Sequence, residues 1–140
     1  MQWTGGRNAG FTSGDPWLPV GREAARGVNV EAERQDPRSM LAFTRRATWY
    51  RRDSPPLRWG TYRSVDAGDG VFAYLREADR ERLLVVLEFE GTPRRLDLSR
   101  DLAAVRGRLE LSTDPDRESE EVDMTSLELD ADEGIVIRLQ

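Results

Sequence analysis

The acidic side chains of this sequence are its first candidates for catalysis, because two of them could act as a pair. The sequence holds 26 Asp and Glu residues. Two carboxyl groups about 5 Å apart can cleave a glycosidic bond when one has a raised pKa and protonates the leaving oxygen. So many acidic residues produce close pairs by chance, and none stands at a strand end where a shaped, partly buried cleft is expected. The number of acidic residues therefore carries no information about catalysis.

Composition also limits metal and nucleophile chemistry. The chain has no histidine and no cysteine, so neither a Ser-His-Asp triad nor a thiolate zinc site can be assembled from it. The acidic segment 114–123 does not fit a calcium-binding loop, because Ser119 stands where glycine is required and Thr125 where glutamate is required. We interpret this segment as a solvated acidic loop and predict no metal and no cofactor.

The opening residues, MQWTGGRNAGFTSGDPWLP, are the stretch most suggestive of binding. Glycine and proline interrupt it too often for a helix or a strand, so it is predicted to be an irregular loop. Its aromatic residues Trp3, Phe11 and Trp17 need an apolar partner. They can stack on sugar rings, or they can pack on structure that this chain does not encode.

Size, charge and hydropathy narrow the class of protein. The 140 residues are 38% hydrophobic and 34% charged, a balance typical of one globular domain. The net charge of −5 argues against a nucleic-acid partner. The longest aliphatic run, 83–87, is too short to cross a bilayer, and the N-terminus does not resemble a secretion signal. We expect no membrane association and a cytoplasmic location.

One helix and several strands must position these residues. Asp36 as N-cap and Pro37 at the first helical position predict a helix over 37–52, with Met40, Phe43 and Tyr50 on the face to be covered and most arginines facing solvent. The prolines of the segment SPPL, 54–57, end it. Beyond them the apolar period falls to two, which predicts an antiparallel β-sandwich or barrel. The predicted strands lie in GTYRSVD, GVFAYLRE, RLLVVLEFE, RRLDL, RLELS, SLELD and GIVIRL.

The order of the N-terminal motifs resembles the C-terminal part of glycoside hydrolase family 13, the α-amylase superfamily. The similarity is greatest to its α-glucosidase and oligo-1,6-glucosidase branch and extends over nearly the whole chain. It rests on the motifs Met1-Gln2-Trp3, Asn8-Ala9-Gly10-Phe11, Pro16-Trp17-Leu18-Pro19, Asn29-Val30-Glu31-Ala32 and Asp36-Pro37, followed by VFAYLRE and RLLVVLEF.

This resemblance implies two regions. Residues 1–53 would be the last βα loop and last helix of an incomplete (β/α)8 barrel, and residues 54–140 an antiparallel β-sandwich of the type that follows such barrels. The fold expected from it is therefore mainly β, preceded by one α-helix and a long loop.

The resemblance also implies a non-catalytic role. The family's catalytic carboxylates lie upstream of the matched motifs, so the chain would be a non-catalytic fragment that supports the barrel of an α-glucosidase-like enzyme of carbohydrate metabolism. The loop residues that would face the substrate, an α-glucoside, are Gln2, Trp3, Phe11 and Trp17.

Several alternatives remain open at this point. The chain can be a free-standing carbohydrate-binding module, or the C-terminal piece of a trehalose synthase-like transferase. Because Met1 matches an internal position of the family, we expect a truncated gene product, a deliberate fragment or one piece of a split enzyme, with the rest of the barrel as partner in cis or as a second chain. Copies are also expected to associate through exposed apolar surface.

Overall fold

Eight strands and four helices form along the chain in the computed structural model, which describes residues 1–140. The chain divides into two units, Met1–Trp49 and Tyr50–Gln140. The helices are α1 Val30–Glu33, α2 Met40–Asp53, α3 Pro55–Trp59 and α4 Ser99–Leu102. The strands are β1 Thr61–Val65, β2 Val71–Ala78, β3 Glu81–Glu88, β4 Arg94–Leu96, β5 Arg106–Ser112, β6 Glu121–Asp123, β7 Leu127–Leu129 and β8 Gly134–Leu139. None of the helices is both long enough and apolar enough to cross a membrane.

The second unit is built on a six-stranded sheet in the order β1-β2-β3-β8-β5-β6, in which every pair is antiparallel. The strands β4 and β7 form a separate antiparallel pair. The last strand, β8, therefore lies in the middle of the large sheet, where Ile137 pairs with Leu84 of β3 and Leu109 of β5. The predicted fold, mainly antiparallel β with few helices, is confirmed.

One face of the large sheet, the inner face, contributes to the hydrophobic core. Residues of β2, β3, β5 and β8 on this face pack with residues of β4, β7 and α4. The fully buried members include Leu75, Leu84, Val86, Leu98, Leu102, Leu109, Met124, Leu127, Leu129, Ile135 and Ile137. The period of two that predicted the strands therefore also selects the residues that fill the core.

The opposite face of the large sheet, the outer face, is also apolar at its centre. Leu83 and Val85 of β3 alternate with the core residues, yet they too are buried. The helix α3 contacts β2 and β3. An antiparallel sheet that met water on this face would carry polar residues here, so β3 belongs to a sheet that is covered on both sides.

Two buried carboxylates organise the loops at one end of the sheet. Glu88 accepts hydrogen bonds from the backbone N–H groups of Glu90 (2.8 Å), Gly91 (3.0 Å), Thr92 (3.3 Å) and Asp132 (2.8 Å). Burial acts to raise the pKa of Glu88, but these four donors outweigh burial, and the pKa lies below its ordinary value. The carboxylate therefore stays charged and joins two loops.

The second buried carboxylate, Glu133, is held by side chains as well as by backbone. It accepts hydrogen bonds from the Ser112 hydroxyl (2.7 Å), from Arg117 (2.5 Å) and from the Asp130 N–H (2.9 Å). Arg117 also donates to the Glu128 carbonyl (3.2 Å). This network fixes the segment before β8 to the end of β5.

A polar group lies on the outer face beside the last turn of α2. Arg138, opposite Leu83 in the sheet, donates to Glu81 (2.7 Å) and Glu110 (2.9 Å). The neighbouring Tyr50 is partly buried. This burial, reinforced by the negative charge of Glu110, raises the pKa of the Tyr50 hydroxyl to about 12, although Arg138 acts in the opposite direction.

The start of α2 differs from the sequence prediction. The helix begins at Met40 rather than Pro37, because Ser39 is its N-cap and accepts from the Ala42 N–H (3.1 Å). Asp36 instead caps the preceding turn through the Arg38 N–H (2.8 Å). Met40, expected on the covered face, is 70% exposed. The end of the helix at Asp53 agrees with the prediction from the two prolines.

The acidic segment 114–123 also differs from its interpretation as a loop. Glu121–Asp123 form β6, which pairs with β5 and buries Val122. The side chain of Asp114 caps a short 3₁₀ turn through the Asp116 N–H (3.0 Å), and Glu120 pairs with Arg117. Carboxylates of this segment therefore serve local structure.

Truncating Leu84 tests the core of the second unit. Leu84 has no exposed surface, so Leu84→Ala should lower the free energy of unfolding by about 2 to 5 kcal/mol. Val105 is largely exposed, and Val105→Ala should change it by less than about 0.5 kcal/mol. Urea denaturation followed by circular dichroism measures both. Equal losses for the two variants would contradict the assigned core.

Removing the Tyr50 hydroxyl tests the polar group at high pH. The unfolded chain loses this proton near its ordinary pKa of about 10, whereas the folded chain keeps it to about 12. Stability is therefore full below the lower value and falls as pH rises toward the higher one. Tyr50→Phe should be nearly neutral at pH 7 and should reduce this alkaline loss.

Urea midpoints measured from neutral to alkaline pH check this expectation. The sequence contains no lysine, histidine or cysteine, so tyrosines are the main side chains that titrate in this window. Tyr62→Phe is the matched control, because Tyr62 is exposed. An alkaline loss as large in Tyr50→Phe as in the unchanged chain would refute the assignment.

Candidate functional site

The backbone of the first unit holds the N-terminal loop against α1. The carbonyls of Gln2 and Trp3 accept hydrogen bonds from the Val30 N–H (3.0 Å) and the Glu31 N–H (2.9 Å). The Trp3 N–H in turn donates to the carbonyl of Ala9 (2.8 Å). The loop therefore follows a defined path although it contains no strand.

A tight turn at 7–10 bends the loop back on itself. Asn8 and Ala9 both have a positive φ of 52°, a conformation that costs an alanine roughly 1 kcal/mol. The Asn8 side-chain amide supports the turn by donating to the carbonyls of Thr12 (3.2 Å) and Gly14 (2.7 Å). Within this turn, Ala9 is buried.

The buried side chain of Asn29 links the N-terminal loop region to α1. Its side chain is buried, donates to the Ala24 carbonyl (2.8 Å) and accepts from the Ala32 N–H (2.9 Å). The second bond makes Asn29 the N-cap of α1. The sequence analysis used Asn29 as the first residue of the motif Asn29-Val30-Glu31-Ala32 but did not predict that it caps a helix, although an asparagine directly before a helix is a recognisable capping signal.

The loop encloses a surface pocket of about 330 Å³. Gln2, Phe11 and Trp17 contribute to its wall, and Trp17 is 87% exposed while Phe11 is 60% exposed. Gly21 lies close to the Gln2 amide, since a Cβ on Gly21 would be 2.2 Å from the Gln2 side-chain nitrogen and Gln2 would have to move. The remaining lining residues are Met1, Pro16, Leu18, Pro19 and Val20.

The fourth residue that we associated with this loop, Trp3, lies elsewhere. It is 44% exposed and lines a different pocket with Val30, Leu41 and Arg45. The structure thus brings three of the four residues together, and a substrate-side role for Gln2, Trp3, Phe11 and Trp17 stays a prediction. Sequence reasoning did not place Gly21 in the pocket wall, because its proximity to Gln2, far along the sequence, has no local signal.

The side chains that line the pocket are suited to binding. Exposed aromatic rings beside an amide side chain can contact the apolar face and a hydroxyl of a sugar. No lining side chain is a carboxylate, whereas a retaining glycosidase needs two carboxyl groups about 5 Å apart. The acids for such a reaction would have to come from other segments.

Comparison with known proteins relates the chain to carbohydrate-active enzymes. Residues 1–60 match the family model described as "Alpha amylase, catalytic domain". The trehalose-6-phosphate hydrolase of Bacillus subtilis is 34% identical over 99% of this chain and 24% of its own length. The oligo-1,6-glucosidase of Parageobacillus thermoglucosidasius is 35% identical over 66% of this chain and 17% of its own length.

Solved structures give a similar result. A trehalulose synthase from Pseudomonas mesoacidophila is 30% identical, with a TM-score of 0.85, and the match covers 99% of this chain and 24% of that protein. An isomaltulose synthase from Klebsiella is 28% identical with a TM-score of 0.86. The chain therefore spans about a quarter, or less, of the length of these relatives.

Replacing Asn29 tests how the loop is positioned. Asn29→Ala removes the N-cap bond to the Ala32 N–H and one bond to the Ala24 carbonyl, which still accepts from the Gly27 N–H (3.3 Å). Loss of the cap should cost about 0.5 to 2 kcal/mol. Amide hydrogen exchange within 1–33 should accelerate, while exchange in β3 and β8 should be unchanged. Gln35→Ala, an exposed position in the same unit, is the control. Unchanged exchange in Asn29→Ala would show that Asn29 does not hold the loop.

Proposed function

The chain belongs to the α-amylase family, glycoside hydrolase family 13, and from this we propose that it is the C-terminal, non-catalytic part of an α-glucosidase-like enzyme. The observation that carries the proposal is the extent of the matches. Residues 1–60 match a catalytic domain, yet the whole chain corresponds to only 24% of a relative that it matches over 99% of its own length. In the relatives this region is one part of a longer chain.

The proposed division of the chain follows from the family. Residues 1–53 would supply the last βα loop and the last helix of a (β/α)8 barrel, and residues 54–140 would form the β domain that supports it. The second unit has a hydrophobic core of its own, which suits a supporting domain. The first unit leaves large aromatic side chains exposed, which suits a segment that packs on further structure.

The proposed contact with substrate is the pocket of Gln2, Phe11 and Trp17, whereas Trp3 lines a separate pocket. In (β/α)8 enzymes the active site is assembled from loops that follow several strands. One such loop can contribute an apolar wall for a glucosyl ring while carboxylates from other loops perform the chemistry. The substrate class is an α-glucoside, and the parent enzyme would act on it in the cytoplasm.

The reaction of the parent is cleavage or transfer of an α-glucosidic bond. The relatives that match include proteins named as hydrolases and others named as synthases. In both cases the same support role is proposed for this region.

Activity measurements on the purified chain test the non-catalytic role. We expect no turnover of maltose, isomaltose or a chromogenic α-glucoside above the buffer background, because the pocket lacks carboxylates. Turnover that persists after repurification to constant specific activity would overturn the proposal.

Tryptophan fluorescence titration with malto-oligosaccharides distinguishes the support role from a free-standing carbohydrate-binding module. We expect no saturable change for the support role, since one loop offers few contacts. A saturable change that is lost in Trp17→Ala would favour the module. Trp59→Ala removes another exposed tryptophan, outside the pocket, and serves as the control.

A further inference from the structure

The pocket that contains Trp3 is lined by two arginines and by no acidic residue. Its volume of about 510 Å³ is within the range that holds small ligands in proteins. Trp3 comes from the N-terminal loop, Arg34 directly follows α1 and Arg45 belongs to α2. The remaining lining residues are Met1, Val30 and Leu41. We call this space the arginine pocket.

Hydrogen bonds hold the three elements that form the arginine pocket in place. The Trp3 carbonyl accepts from the Glu31 N–H (2.9 Å), which ties the loop to α1. The Leu41 N–H donates to the Glu33 carboxylate (3.0 Å), which ties the first turn of α2 to α1. The walls of the pocket are therefore fixed by contacts within the first unit.

The positive charges of the arginine pocket are not balanced by carboxylates. Arg34 and Arg45 are both exposed, and neither side chain takes part in a hydrogen bond or an ion pair. Elsewhere in the chain, which has more acidic than basic residues, Arg117 and Arg138 each pair with two carboxylates. Guanidinium groups bind phosphate oxygens through paired N–H donors, so two free ones in a single pocket favour an anionic ligand.

The indole of Trp3 adds a second requirement for the ligand. It is 44% exposed and lines the same pocket as the two arginines. Aromatic faces of this kind stack on the apolar face of a sugar ring. A neutral sugar would leave the two cations without a counter-charge, and a small inorganic anion would leave the indole without a contact. A sugar that carries phosphate satisfies both groups.

We propose that Trp3, Arg34 and Arg45 bind a phosphorylated sugar, with the phosphate held by the two guanidinium groups and the sugar ring against the indole. The arginine pocket shares Met1 with the pocket that contains Gln2 and Trp17. The inference therefore rests on the proposed function, and it narrows the substrate class to α-glucosides that carry phosphate.

Isothermal titration calorimetry of the chain with glucose 6-phosphate, inorganic phosphate and glucose tests the ligand class. We expect saturable binding of glucose 6-phosphate, weaker binding of inorganic phosphate and no binding of glucose over the same concentrations. If inorganic phosphate binds as tightly as glucose 6-phosphate, the site takes a free anion and the proposal is overturned. Absence of glucose 6-phosphate binding overturns it as well.

Arginine variants test which residues hold the phosphate. Arg34→Gln and Arg45→Gln should each weaken glucose 6-phosphate binding at least about tenfold, because each removes a charge-assisted contact. Arg22→Gln is the matched control, since Arg22 is an exposed arginine of the same unit that does not line the pocket. Equal affinities for the three variants would overturn the assignment.

Tryptophan variants test the contact with the sugar ring. Trp3→Ala should weaken glucose 6-phosphate binding severalfold and leave the affinity for inorganic phosphate unchanged, whereas Trp59→Ala should change neither. Trp3→Phe keeps an aromatic face and should retain most of the affinity. If Trp3→Ala weakens both ligands equally while Trp3→Phe restores neither, Trp3 does not contact the sugar and the proposal fails.

The proposed function fails separately. Turnover of α-glucosides by the purified chain would overturn the non-catalytic role and leave the binding of glucose 6-phosphate as measured. Absence of glucose 6-phosphate binding in a chain without turnover would overturn the arginine pocket alone.

Discussion

The sheet of this chain must be covered on both faces, because β3 is aliphatic at every position from Leu83 to Leu87. The inner face is covered by the β4 and β7 pair and by α4, all from the same unit. The helix α3 also contacts β2 and β3. Within the second unit the chain passes from the end of α2 through Ser54 into α3 and, after Gly60, into β1.

Acidic residues are abundant in this chain, and the most deeply buried of them hold loops in place through hydrogen bonds. Glu88 accepts four backbone N–H bonds and Glu133 accepts from a hydroxyl, a guanidinium and an N–H. Charged acceptors of this kind fix loops more firmly than neutral ones. All the basic side chains are arginines, a side-chain type that is effectively always protonated in proteins. The ion pairs of Arg117 and Arg138 therefore depend on pH only through their carboxylates.

Sequence reasoning succeeded where structure is local and periodic. The strands followed from the period of two, and the end of α2 followed from two prolines. Sequence reasoning failed where a group far along the sequence determines the local structure. The helix begins after Ser39 because that hydroxyl accepts from Ala42 and because the Glu33 carboxylate accepts from the Leu41 N–H (3.0 Å), eight residues along the chain. The strand β6 was missed because its charged residues flank a single buried valine. Trp3 and Trp17 were assigned to one site because both are aromatic residues of the same loop. In the structure the loop places them in two different pockets.

In the first unit the backbone is ordered while large aromatic side chains are exposed to solvent. This combination is expected of one loop in a site that several loops build. Asn29 and the turn at 7–10 fix the backbone through hydrogen bonds within the unit. Trp17 and Phe11 nevertheless remain open to solvent beside a pocket without acids. A wall that is preorganised in this way loses little entropy when a ligand and the missing groups arrive. In the proposed parent enzyme the chemistry would depend on carboxylates from barrel strands that lie outside this chain.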